Sequence, residues 1–264
     1  MKQRMITGVI AGASFLTILY VGGYTFHGLL LIMALVGFDE LLRMCKIDRR
    51  SLAAIIGYAF TALFVFPWNN GEYVFGTQSE TWIWMSLLLL ASAMVWSKNK
   101  IPIEKISILL FGIIYIGFGF HYMALTRWMD DGFWWTLLLF ICIWITDAGA
   151  YFTGYAFGKH KLWPTISPKK TVEGAVGGLI LSIVVAICFS IWKPELLHMK
   201  DAWLLGLTIG IVGQLGDFIQ SAYKRTFGVK DTGTLLPGHG GILDRCDSWL
   251  IVFPFVHLLT QVMA

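Results

Sequence analysis

Apolar positions in this chain gather into runs, at residues 5–23, 25–42, 52–67, 81–97, 106–125, 133–153, 172–192, 202–221 and 248–263. Runs of about 20 residues with few charges suit an α-helix crossing roughly 30 Å of hydrocarbon. The pattern predicts an all-α, polytopic integral membrane protein with about nine transmembrane helices. Composition agrees: 57% of the 264 residues are hydrophobic and 14% are charged, too little polar surface for a water-soluble domain of this length.

The cations set an expected orientation. With the N terminus in the cytoplasm, residues 1–4, 43–50, 98–105, 159–170 and 224–245 fall inside and hold 17 of the 20 lysines and arginines. Only Arg127, Lys193 and Lys200 fall outside, as the positive-inside rule requires. The first run follows Lys2 and Arg4 but lacks a small-x-small cleavage site, so it reads as a retained span. A net charge of +4 on the cytoplasmic side suits anionic lipid headgroups and nucleotides, with nothing pointing to nucleic acid. Cys45, Cys142, Cys188 and Cys246 form no C-x-x-C pair, which argues against a disulfide or zinc framework.

The character changes near residue 143. Residues 1–100 read as N-terminal membrane helices with a scaffold role, 101–142 as central membrane helices, and 143–264 as the part that carries chemistry. Before that point charges stay in the loops, apart from Asp39 and Glu40 near the inner end of the second run, whose spacing to Arg43 suits helix-end ion pairing. After it come three polar clusters: "ITDAGAYFTGYAFGKHKLWPTISPKKTVEGAVGG", "GQLGDFIQSAYKR" and "LLPGHGGILDRCDS". The alternating direction of the spans brings all three to the cytoplasmic boundary.

Each cluster suggests chemistry. On a helix, Asp217, Ser221, Lys224 and Arg225 form one stripe, and Asp244, Asp247 and Ser248 share a face at the start of the last span. A carboxylate toward a membrane helix centre costs about 2.5–3.5 kcal/mol, so Asp147 and Asp217 need partners or a wet cavity. Carboxylates are the oxygen donors that Mg²⁺ prefers. Ion pairing with Lys224, Arg225 or Arg245 fits the same spacing. The glycines of "PGHGG" let a backbone turn its N–H groups toward an anion. In "SPKKT", Ser167 reads as an N-cap with Pro168 at the first helical position, ahead of Lys169 and Lys170. Gly174 and Gly178 have the spacing of a helix-packing pair. His239 is either a phosphate donor or structural; His27, His121 and His257 read as packing. The inventory suits a polyphosphate held through metal and lysine, open to the cytoplasm.

The stretch from Ser221 to Asp247 closely resembles the signature of the CDP-diacylglycerol synthases, the phosphatidate cytidylyltransferases. It is carried by Ser221, Lys224, Arg225, Lys230, Asp231, Gly233, Leu236, Pro237, His239, Gly240, Gly241, Asp244, Arg245 and Asp247. The block from Asp147 to Gly174 also looks like the family. Tyr223 and Cys246 stand where aliphatic residues are usual, and Ala148 where threonine is frequent; none touches a charged position.

The resemblance implies that CTP condenses with phosphatidate, giving CDP-diacylglycerol and pyrophosphate, in a catalytic domain spanning 143–264 at the inner face of the cytoplasmic membrane. It implies Mg²⁺, with a second cation open; Asp217 and Asp244 are the expected ligands, Asp247 is expected to coordinate the ion or stand next to its ligands, and Asp147 is either a further ligand or a partner for a lysine. Lys224, Arg225, Lys230, Asp231, His239 and Arg245 are the expected catalytic residues. Ser167, Lys169, Lys170, Thr171, Glu173, Ser221, Gly238, Gly240 and Gly241 are the expected substrate contacts. A homodimer is also implied, with 101–142 as its contact region. Two alternatives are a CTP-dependent lipid kinase, which would release CDP, and a transporter of phosphate-bearing solutes.

Overall fold

The computed structural model describes residues 2–67, 79–235, 238 and 240–263. The chain divides into two compact units, residues 1–125 with 231–245, and residues 126–230 with 246–264. Helices dominate both, so the protein is all-α and polytopic. Among the described residues, five helices are long and apolar enough to cross a membrane: Gly23–Met44, Ile103–Trp128, Gly132–Phe157, Val172–Trp192 and Met199–Thr226. Thr7–Val21, Leu52–Val65 and Glu80–Trp96 are shorter apolar helices.

The first unit holds α1 (Lys2–Val21), α2 (Gly23–Met44), α3 (Leu52–Val65), α4 (Ser79–Trp96) and α5 (Ile103–Gly112). A π-helical stretch, Ile113–Phe118, joins α5 to α6 (Gly119–Trp128). Phe38 of α2 is fully buried against two glycines: a Cβ on Gly57 would come within 2.4 Å of its ring, and one on Gly112 within 3.0 Å. Those glycines let α3 and α5 approach α2. The π-helical turn sets Phe118 4.6 Å from Phe64, ring centre to ring centre. His121 Nδ1 lies 2.9 Å from the Phe64 carbonyl, in the last turn of α3, where carbonyls have no helical partner. A carbonyl only accepts, so Nδ1 carries the proton and the buried histidine is satisfied. That is the packing role expected of it.

The second unit holds α7 (Gly132–Phe157), the hairpin strands β1 (Lys161–Trp163) and β2 (Ser167–Thr171), then α8 (Val172–Trp192), α9 (Met199–Thr226) and, after the one-turn α10 (Leu243–Cys246) at which the chain returns from the first unit, α11 (Trp249–Met263). Small residues bring these helices close. Gly178 of α8 lies against the Thr146 carbonyl of α7, Gly206 of α9 against the backbone of Ile183, and Gly216 against Asp247 and Ser248 at the head of α11. The expected packing role of Gly174 and Gly178 is what the structure displays, since a Cβ on Gly174 would sit 2.6 Å from the Ala150 carbonyl. On the outer face of α8, Val176, Ile180, Val184 and Ile191 are exposed. Hydrocarbon is the natural solvent for such a stripe.

Two sequence expectations need correction. Ser167 is not the cap of α8. Residues 167–171 pair antiparallel with β1, Trp163 opposite Ser167 and Lys161 opposite Thr171. Thr171 is the cap, its hydroxyl accepting from Gly174 N at 3.2 Å. Pairing with β1 engages the backbone of "SPKKT", and Pro168, without an N–H, is tolerated in this edge ribbon. Thr171→Ala should therefore lower stability by about 1 kcal/mol, measurable as a lower melting midpoint in detergent. The second correction is that Asp244 and Asp247 do not share one helix. α10 ends at Cys246, and the Asp247 carboxylate accepts from Ser248 N at 2.8 Å before α11 begins. A local side-chain bond to backbone of this kind competes with helix continuation.

Candidate active site

Two polar centres emerge, one in each unit. In the second unit, α7, the hairpin, α8 and α9 enclose a cavity of about 520 Å³. Asp147, Lys161, Lys169, Lys170, Thr171 and Asp217 line it, so five charged side chains share one hollow. The hairpin accounts for three of them. It turns back on itself between Trp163 and Ser167 and so brings Lys161 alongside Lys169 and Lys170.

Lys170 Nζ donates to Asp217 Oδ2, and the same ammonium sits 4.3 Å from the centre of the Phe218 ring. Trp163 packs edge-on against Phe218 at 4.9 Å and so fixes the hairpin over α9. Asp217 Oδ1 accepts from Ser221 Oγ at 3.2 Å, the helical i, i+4 contact expected from the stripe. Lys224, further along the stripe, is buried. Arg225 turns instead to the hairpin, donating from Nε to the Ile166 carbonyl and from Nη1 to the Val229 carbonyl, both at 3.3 Å. Lys230 is exposed near the end of the unit. Glu173, expected to touch substrate, accepts from the amides of Lys159 and His160 and, at 2.6 Å, from His160 Nδ1. It pins the start of the hairpin to α8. Ser167 is half-buried in β2 and Lys169 is exposed.

Asp247 lies on the turn ahead of α11. Burial holds its carboxyl above the usual carboxylate range, and the negative charges of Asp217 and then Asp147 push the same way. The charges of Asp217 and Asp147 are thus felt at Asp247 within this unit, with Lys224 acting the opposite way. Among the described residues, no group of three or more His, Cys, Asp or Glu side chains stands ready to hold a metal ion. Mg²⁺ does not require such a cage. It usually takes one or two carboxylates and completes its shell with water and substrate phosphate. The oxygen donors here, already drawing the Lys170 ammonium, fit that habit.

The centre in the first unit is built around two carboxylates. Glu40 of α2 is buried; its Oε1 accepts from Ile242 N at 2.8 Å and its Oε2 from Leu243 N at 3.0 Å. Asp244, also buried, accepts at Oδ2 from Thr232 N at 2.7 Å and Gly241 N at 3.0 Å. The Thr232 hydroxyl lies 2.9 Å from Glu40 Oε2 and 3.1 Å from Asp244 Oδ2. Glycine is required here by contact: a Cβ on Gly241 would meet both Glu40 oxygens at 2.4 Å, and one on Gly240, where φ is +83°, would meet Asp244 Oδ2 at 2.6 Å. The loop is thus an anion nest whose described amides at Gly241, Ile242 and Leu243 face the protein's own carboxylates. Gly238, Asp231 and Arg245 are exposed, and His239 lies outside the described residues.

Sequence reasoning missed Glu40. It placed both Asp39 and Glu40 in helix-end pairs with Arg43, and only Asp39 behaves so, pairing with Arg43 at 2.5 Å and accepting from Tyr58 at 2.7 Å. Glu40 points to the other side of α2, toward partners about 200 positions away.

Comparison with known proteins agrees over the full length. A model of the cytidylyltransferase family matches residues 2–263. The phosphatidate cytidylyltransferase of Staphylococcus haemolyticus (strain JCSC1435) is 42% identical over 259 residues, covering 98% of each chain. That of Bacillus subtilis (strain 168) is 41% identical over 265 residues, covering 98% of this chain and 97% of the relative. With both centres inside the matched span, and the match running almost from end to end, the chain belongs to the cytidylyltransferase family.

Proposed function

We propose that the protein is a phosphatidate cytidylyltransferase, a membrane nucleotidyltransferase that forms CDP-diacylglycerol and pyrophosphate from CTP and phosphatidate. The observation that carries this reading is identity of about four-tenths, over 98% of the chain, with enzymes of that name. The lysine-lined cavity with its two aspartates supports it, because it offers charge for several phosphates at once.

The reaction needs little acid–base help. A phosphomonoester has a second pKa near 6, so the lipid phosphate is already a nucleophile at neutral pH. Its oxygen attacks the α-phosphorus of CTP, a new P–O bond forms, and the bond to the β-phosphate breaks with its electron pair leaving on pyrophosphate. What the chain supplies is alignment and charge. Lys161, Lys169 and Lys170 hold phosphate oxygens in the cavity, Lys224 and Lys230 add charge along α9 and beyond it, and Arg225 keeps the hairpin in place. Asp217 and Asp147, joined by Asp247, would hold Mg²⁺; the ion's contribution when bound is neutralisation of phosphate charge. We assign Asp231, Arg245, His239 and the exposed Gly238 to substrate. The distribution of lysines and arginines supports a cytoplasmic N terminus and a cytoplasm-facing site in the cytoplasmic membrane. A homodimer is part of the same proposal.

The test uses purified protein with CTP, phosphatidate and Mg²⁺. Pyrophosphate should appear with the complete mixture and not when phosphatidate or Mg²⁺ is left out. Release of CDP in place of pyrophosphate would make the protein a lipid kinase.

A further inference from the structure

We infer that Glu40 is a positioning residue, holding Thr232 and the Ile242 and Leu243 amides together so that Asp231, Gly238 and Arg245 are placed for CTP. The inference rests on the cytidylyltransferase reading for its substrate and on the first unit's geometry for its mechanism.

A carboxylate that is 3% exposed at the end of a membrane helix is costly unless donors surround it. Three donors are close to Glu40, and they come from opposite ends of one loop. The Thr232 hydroxyl approaches Oε2 from the entry, and the Ile242 and Leu243 amides approach from the exit. A two-oxygen acceptor gripping two consecutive amides fixes the direction of the backbone as well as its distance. Gly233 and Gly241 confirm how close the loop lies, since a Cβ on either would fall within 2.7 Å of a Glu40 oxygen.

Thr232 extends the linkage. Its hydroxyl has one proton and two acceptors, Glu40 Oε2 and Asp244 Oδ2, while its amide donates to Asp244. A shift of Glu40 therefore moves Thr232 and, through it, Asp244. Asp231, Gly238 and Arg245 are exposed and carried by the same backbone. Glu40 itself is buried. It acts through the loop.

The test compares Glu40→Gln, Thr232→Val and Thr232→Ser with the wild-type protein in detergent. Three quantities are read: kcat and KM for each substrate, the melting midpoint, and hydrogen exchange at the amides of Thr232, Gly241, Ile242 and Leu243. Glutamine keeps the shape but turns one acceptor into a donor, which faces the Leu243 or the Ile242 amide. Valine keeps the shape of threonine and removes the shared proton. Both variants should remain folded, exchange faster at the four amides, and lose at least about tenfold in kcat/KM for CTP, the scale expected when reacting groups are displaced slightly. KM for phosphatidate should change less than KM for CTP, and Thr232→Ser should restore most of the activity.

Wild-type kcat/KM for CTP in both Glu40→Gln and Thr232→Val would overturn the inference. So would unchanged exchange at the four amides, a Thr232→Ser variant as poor as valine, or loss of folding in both variants, which would make the network structural. Wild-type protein that releases no pyrophosphate would instead count against the proposed activity, and the exchange comparison would still decide whether Glu40 holds the loop.

Discussion

Asp217→Ala is expected to cut incorporation of labelled CTP into lipid by at least about 10²-fold, the scale of removing one electrostatic stabiliser from a transition state. Asp217 is the point at which the cavity's charges meet, because it accepts from both Lys170 and Ser221 and bears on Asp247. The Lys170–Asp217 pair is more than a quarter exposed on each side, so solvent screens it and the variant should still fold. The loss should therefore appear in activity with little change in melting. Retention of more than about a tenth of the activity would remove Asp217 from the essential metal ligands.

Gly178→Leu should act in the opposite way, through folding. A Cβ at this position would lie 2.5 Å from the Thr146 carbonyl oxygen and 3.1 Å from the Ala150 Cβ. The first of these is backbone, which cannot rotate away, so α7 and α8 would have to separate along their most extensive contact. Overpacking commonly costs about 1–3 kcal/mol, and a leucine against helix backbone belongs at the upper end. The expected result is a large fall in melting midpoint and in monodisperse yield from detergent. Gly12→Ala, where a Cβ would meet nothing within 4 Å, is the control and should leave both unchanged.

How far the sequence carried depends on the range of the forces involved. Hydropathy located the second-unit spans well, since the run at 133–153 lies inside α7 and that at 202–221 inside α9. Both helices are longer than their apolar runs. Hydrogen bonding continues past the end of the apolar run until a cap intervenes, near Gly158 for α7 and near Gly228, with φ +68°, for α9. Those extra turns carry Lys224 and Arg225. The Asp217–Ser221 contact was readable because it is local to one helix. The hairpin was not, since "SPKKT" satisfies a local N-cap template and only pairing with Lys161–Trp163 reveals a strand. Glu40 lay beyond reach for the same reason in stronger form. Its partners follow it by 192 to 203 positions, and nothing near residue 40 encodes them.

One consequence concerns how this polypeptide can be divided. Because Thr232, Ile242 and Leu243 are fastened to a residue on the second helix, the first unit joins the earliest-translated spans to a late segment of the chain. A fragment beginning at residue 126 would contain every cation and carboxylate of the lysine-lined hollow, yet its glycine turn would have lost its clasp. Coexpressing residues 1–125 as a separate chain offers the missing half of that fastening.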